Sequence, residues 1–96
     1  MNHYFFANIR INDPSEYQKY LDKVDEVCDK FNVEYLVVDE SPLILEGIWD
    51  YTKSVLIKFN SKEDFEKWYF SPEYQKILKY RLHSAKCDSI LVKGLE

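Results

Sequence analysis

At 96 residues, 46% hydrophobic and 31% charged, the chain has the balance of one soluble globular domain over residues 1–96, which excludes multidomain, low-complexity and fibrous readings. Thirteen Lys and Arg stand against 17 Asp and Glu, a net charge of -4; a negatively charged chain repels the phosphate backbone that drives nucleic-acid affinity, so neither DNA nor RNA is an expected partner. Eight Tyr, six Phe and two Trp are many large rings for a domain this small, and they point to a second subunit.

The first predicted element is a strand over residues 3–12, where Phe5, Ala7, Ile9 and Ile11 alternate with Tyr4, Phe6, Asn8 and Arg10. One of its faces is wholly apolar. The other begins aromatic and ends polar, the character of a surface that is part interface and part pocket. Asp13-Pro14-Ser15-Glu16 then supplies an N-cap acceptor, a proline at the first helical position and a carboxylate three residues after the cap. The helix that follows carries an apolar stripe of Tyr17, Leu21, Val24, Cys28 and Phe31.

Residues 33–38 are β-branched and aromatic and predict a second strand, interrupted by Asp39-Glu40-Ser41-Pro42 before Leu43 to Gly47 resumes extended structure. Residues 53–60 alternate Val55, Ile57 and Phe59 against Ser54, Leu56 and Lys58, a third strand antiparallel to the second. Ser61 and Asp64 repeat the capping pattern ahead of a short helix anchored by Phe65 and Trp68. Ser71-Pro72 starts another, with Tyr74, Ile77, Leu78, Leu82 and Ala85 as its buried stripe. Residues 89–93 form the last strand, closed by Gly94. With right-handed crossovers, this order gives an α+β, ferredoxin-like four-stranded antiparallel sheet with helices on one face. The uncovered face, rich in rings, predicts a homodimer.

Charge is divided unevenly, with 4 basic and 10 acidic residues in 1–48 but 9 and 7 in 49–96, which favours complementary surfaces over a polyanion site. Cys28 and Cys87 show neither CxxC nor Cys/His metal spacing, so they read as small hydrophobes in a reducing compartment, and no metal site is expected. The longest uncharged run, residues 1–9, is too short to span a membrane and lacks a secretion signal's basic start and cleavage site. The expected location is the cytoplasm, with no membrane partner.

The chain resembles a family at Tyr4, Asp13-Pro14 and Tyr17, at Leu45-Glu46-Gly47 with Trp49, at Trp68-Tyr69, at Ser71-Pro72-Glu73-Tyr74, and at Arg81 and Gly94. These residues, in this order, are similar to the short bacterial DUF1330 proteins of the dimeric α+β barrel superfamily. The resemblance implies a ferredoxin-like subunit whose bare sheet face packs against its twin around a barrel-like cavity, and it implies no established activity. Asn32-Val33 stands where the family has Gly-Gly, and Asp39-Glu40-Ser41 where it has an Arg-Gly-Gly type of turn, so a basic group is missing from that turn. Haem-degrading members of the superfamily look similar in an Asn on the first strand and a Trp on the helix after the third, places filled by Asn8 and Trp68. The haem-binding His of that group is replaced by Leu78, and no cofactor is expected.

No reaction-specific motif is present. The candidate catalytic residues are Glu46, a carboxylate in an apolar stretch, Arg81, its natural ion-pair partner, and His83, whose ordinary pKa near 6.5 suits a general base. Each has a plainer reading, as a structural ion pair or as a solvent-facing histidine at a helix end. Tyr4, Asn8, Tyr35 and Trp49, with Phe6, are the candidate ligand-binding set if they share the uncovered face, and otherwise fill the dimer interface. The expected function is that of a small homodimer, either a cofactor-independent enzyme of monooxygenase or isomerase type acting on a small organic molecule between sheet and helices, or a non-catalytic binding or structural module.

Overall fold

The computed structural model describes residues 1–95. Its elements are β1 (His3–Ile11), α1 (Pro14–Cys28), β2 (Glu34–Asp39), β3 (Lys53–Phe59), α2 (Lys62–Tyr69), α3 (Pro72–Ser84) and β4 (Ala85–Lys93). The strands form one sheet in the order β2-β3-β1-β4, every neighbouring pair antiparallel. This is the ferredoxin-like α+β fold.

Strand parity decides which side is covered. Phe5, Ala7 and Ile9 of β1 and Val55, Ile57 and Phe59 of β3 are buried, because their side chains meet α1, α2 and α3. Trp68 and Tyr74 are fully buried, their rings 4.1 Å apart, and Phe59 and Phe5 reach Trp68 at 5.3 and 5.8 Å. This aromatic block fastens α2 and α3 to the central strands.

Each helix starts on the cap its sequence announces. Asp13 accepts from the Glu16 amide at 3.2 Å, Ser61 from Asp64 at 3.1 Å and Ser71 from Tyr74 at 3.1 Å. The Ser71 hydroxyl also donates to the Trp68 carbonyl at 2.8 Å, so one side chain serves the end of α2 and the start of α3. The Ser84 carbonyl, at the end of α3, accepts from the amides of Asn12 and Asp13 at 2.8 and 2.9 Å.

Four expectations need correction. The last strand starts at Ala85 rather than Ser89 and pairs with β1 along its full length, from Ile11↔Ala85 to His3↔Lys93. Its polar first half disguises it, since an edge strand whose backbone is paired on one side tolerates Lys86 and Asp88. On α3, Leu82 is 52% exposed while Arg81 and Ser84 are buried; apolar character alone selects the wrong neighbour in the stripe. On α1, Leu21 lies at the rim and Tyr20 is the buried residue. Leu43 to Gly47 belongs to a loop, not a strand, and Gly47 turns there at φ +86°, which a side chain would resist.

Candidate functional site

Between α1 and the sheet lies a cavity of about 200 Å³. Its floor is Phe5, Ala7 and Ile9 of β1 with Val55 and Ile57 of β3, and its roof is Tyr17, Tyr20, Leu21 and Val24 of α1. Tyr35 and Val38 of β2 close one side, while Lys53, Arg81 and Asp25 bring the charges. An apolar body with a few convergent polar groups is the usual construction of a small-molecule site.

The two cations of this cavity are buried, Lys53 at 6% and Arg81 at 2% exposure. Lys53 opens β3 on the parity of Val55 and Ile57, so its stem runs along the covered face. Its Nζ donates to the Tyr17 hydroxyl at 3.3 Å and sits 5.0 Å from that ring's centre. Arg81 arrives from α3 on the face of Tyr74, Ile77 and Leu78. Its Nη2 donates to the Tyr74 hydroxyl at 3.5 Å, its guanidinium stands 5.7 Å from the centre of the Tyr20 ring, and its Nε and Nη1 have no partner. Among the described residues the ion pairs are Arg10 with Asp50, Lys86 with Asp50 and Lys19 with Glu16. Neither buried cation is in one.

Burial sets the protonation of this site. It holds the Lys53 ammonium below the ordinary lysine value, with Glu40 opposing the shift. It pushes the Tyr17 phenol up to about 12 against the pull of Arg81. Tyr20 and Tyr35 are raised by the same desolvation, so all three phenols are neutral hydrogen-bonding groups at physiological pH. Tyr20 and Tyr74 share a 2.7 Å hydroxyl contact, which links Arg81 through Tyr74 to the cavity roof.

The uncovered face is built differently. Phe6, Ser54 and Leu56 of the sheet, Val37 of β2, loop residues Pro42 to Glu46 and Trp49 line a groove of about 560 Å³. Leu43 and Leu45 are each 85% exposed on its wall, and Ile90 on β4 is 57% exposed nearby on the same face. Asn8 accepts from the Ser54 hydroxyl at 3.2 Å. At one end Arg10 and Lys86 bind the Asp50 carboxylate at 2.5 and 3.6 Å, and the hydrogen bond from Arg10 holds that carboxyl below its usual range. Tyr51 donates to Asp88, and Trp49 packs on Tyr51 edge to face at 5.2 Å.

The DUF1330 family, described as a domain of unknown function, matches residues 2–95. The chain belongs to this family. No curated protein matches it. A protein of unknown function from Rhodopseudomonas palustris superimposes with a TM-score of 0.81 at 16% identity, over 99% of this chain and 83% of that one. A dimeric ferredoxin-like protein of unknown function from Jannaschia sp. CCS1 does so at 0.74 and 10%, over 98% and 100%. The cofactor-independent oxygenase SnoaB from Streptomyces nogalater gives 0.69 and 9%, over 99% and 94%. At these identities the likeness is one of fold.

In this DUF1330 chain the sequence-derived candidates fall into separate places. Arg81 and Tyr35 line the cavity under the helices, whereas Glu46 and Trp49 line the groove on the opposite face. A Glu46–Arg81 ion pair is therefore not formed. Tyr4 and Asn8 share the uncovered face through strand parity. His83 is exposed on the last turn of α3. Tyr35 departs from Trp49 because β2 slips register between Tyr35 and Val37: the bulge sends Tyr35 under the helices, its hydroxyl 3.9 Å from Cys28 Sγ, and Val37 to the other side. Lys53, Tyr17, Tyr20 and Asp25 are the cavity residues that a search for motifs passes over. Parity in 53–59 is the signal that marks Lys53, since a lysine in phase with Val55, Ile57 and Phe59 must lie on the covered face.

Cys28 and Cys87 are free thiols. Among the described residues no group of three or more His, Cys, Asp or Glu could hold a metal, and no helix is long and apolar enough to cross a membrane.

Proposed function

We propose that this chain is a homodimeric, cofactor-independent enzyme of the monooxygenase or isomerase type, acting on a small organic molecule in the cavity between α1 and the sheet. One observation carries the reading: an apolar cavity with neutral phenols in its walls ends on two buried cations, Lys53 and Arg81. Both reaction types begin by removing a proton, from a carbon beside a carbonyl or from a phenol hydroxyl, and both develop negative charge on an oxygen. Buried, fixed cations stabilise that oxygen. Asp25, the carboxylate lining the cavity, is the candidate proton acceptor. In isomerisation the proton returns at another carbon; in oxygenation the carbanion, at a carbon that still bears a hydrogen, adds dioxygen and a proton to give a hydroperoxide, which loses water to leave a new carbonyl, so the substrate itself supplies the electrons. SnoaB, which has this fold, is described as a cofactor-independent oxygenase.

The other face supports the homodimeric part of the reading. Val37, Leu43, Leu45, Ile90 and Val92 are each at least 41% exposed in one chain, and a second copy would cover them. Structural neighbours are described as dimeric. Tyr4, Asn8, Glu46 and Trp49 then belong to the subunit contact, and Arg81 and Tyr35 to the reaction site.

The test needs no known substrate. Purified protein is incubated in deuterated buffer with a panel of small enolisable ketones and phenols, and carbon-bound deuterium is followed by NMR alongside dioxygen uptake. Exchange or uptake that disappears in Lys53→Met and Asp25→Asn is expected. No exchange and no uptake across the panel would contradict the enzyme reading and leave ligand binding without turnover.

A further inference from the structure

Resting on the cavity reading above, we infer that the molecule held between α1 and the sheet is a small planar organic anion, a carboxylate or an ionised enol or phenol, whose charged oxygen lies against Lys53 and Arg81. An ion taken out of water without a counter-charge is costly, and apolar side chains of the same length would fill the same space at lower cost. Here two such ions line one cavity in a chain whose net charge is -4. The partners they do have are neutral. Lys53 reaches the Tyr17 hydroxyl and ring, and Arg81 reaches the Tyr74 hydroxyl and the Tyr20 ring.

Unused donors remain. Arg81 Nε and Nη1 are buried with no acceptor, and one hydrogen bond leaves two of the three Nζ protons of Lys53 uncommitted. Glu40 acts on Lys53 through its charge and Asp25 lines the cavity; both carboxylates are exposed, and neither forms an ion pair with these cations. An oxyanion brings the missing acceptors and the missing charge together. The remainder of the cavity, Phe5, Ile9, Val24, Val55 and Ile57, suits a flat apolar body. Its volume of about 200 Å³ limits that body to the size of one ring.

Benzoate and benzamide make the probe pair, equal in shape and different in charge, titrated into the dimeric protein by calorimetry. The wild type is expected to bind benzoate at least about tenfold more tightly than benzamide, the usual scale for a charged hydrogen bond. Lys53→Met is expected to remove about tenfold from benzoate affinity and to change benzamide affinity by less than about twofold. Arg81→Lys, which keeps the charge, is expected to retain a preference for benzoate. Equal affinity for both probes in the wild type would overturn the anion inference and leave the cavity reading standing. Saturable binding of neither would overturn both.

Discussion

Lys53→Met is expected to stabilise the protein while weakening the site. Methionine keeps the length of the lysine stem and removes a buried ammonium that no carboxylate pairs. Replacing buried charge by apolar volume returns about 1–4 kcal/mol. Against that, the Tyr17 hydroxyl loses a 3.3 Å hydrogen bond, about 1 kcal/mol, and the contact at 5.0 Å from the ring centre is worth about 0.5–1 kcal/mol. The net is a gain of about 1 kcal/mol, or about 4–8 °C in Tm for a domain of this size. The sign of its pH dependence follows from the depressed pKa of Lys53. Between the folded value and the unfolded value of about 10.4, the unfolded chain binds more protons, so wild-type stability rises with pH there. Below the folded value the burial penalty is complete. The advantage of Lys53→Met is therefore full at neutral pH and shrinks as pH climbs through the folded value towards that of free lysine. Urea unfolding followed by tryptophan fluorescence at neutral pH and at about pH 9.5 measures both effects. A variant less stable than wild type at neutral pH, or an advantage that does not change with pH, would refute the reasoning.

Trp68→Ala removes a fully buried ring that touches Phe5, Phe59 and Tyr74, and thermal melts should show a loss of about 3–5 kcal/mol. Asp13→Ala deletes the α1 cap and is expected to cost about 1 kcal/mol by urea unfolding. Ile90→Lys changes a side chain that is 57% exposed in one chain. Sedimentation should find it monomeric with an unchanged circular dichroism spectrum; a persistent dimer would place the subunit contact elsewhere. Asp25→Asn should abolish deuterium incorporation while leaving benzoate affinity within about threefold, the scale of one lost long-range charge interaction.

Strand parity and helix caps carry most of the fold in the sequence. Asp13, Ser61 and Ser71 act locally, through hydrogen bonds to amides three residues on, so their pattern is readable without the rest of the chain. Phe5, Ala7 and Ile9, like Val55, Ile57 and Phe59, declare the covered face by alternation. What parity does not carry is a register slip: the bulge between Tyr35 and Val37 separates Tyr35 from the rings it appears with in sequence. The site is harder to read for a related reason. Polar residues on a predicted apolar stripe are easily assigned to solvent, and on α3 this trades buried Arg81 for exposed Leu82. Glu46 and Arg81 look complementary in charge, yet the sheet lies between the groove of one and the cavity of the other. Lys53 is visible only to a reader who asks why a lysine keeps phase with three core residues.

The claim that the working site lies under the helices, and not in the groove on the open face, is tested most directly by methyl NMR of the protein during benzoate titration. Saturable shifts are expected in the methyl signals of Ile9, Val24, Val55 and Ile57, which line the cavity, with Leu43, Leu45 and Leu56 of the groove unmoved. Shifts confined to the three groove leucines would contradict it.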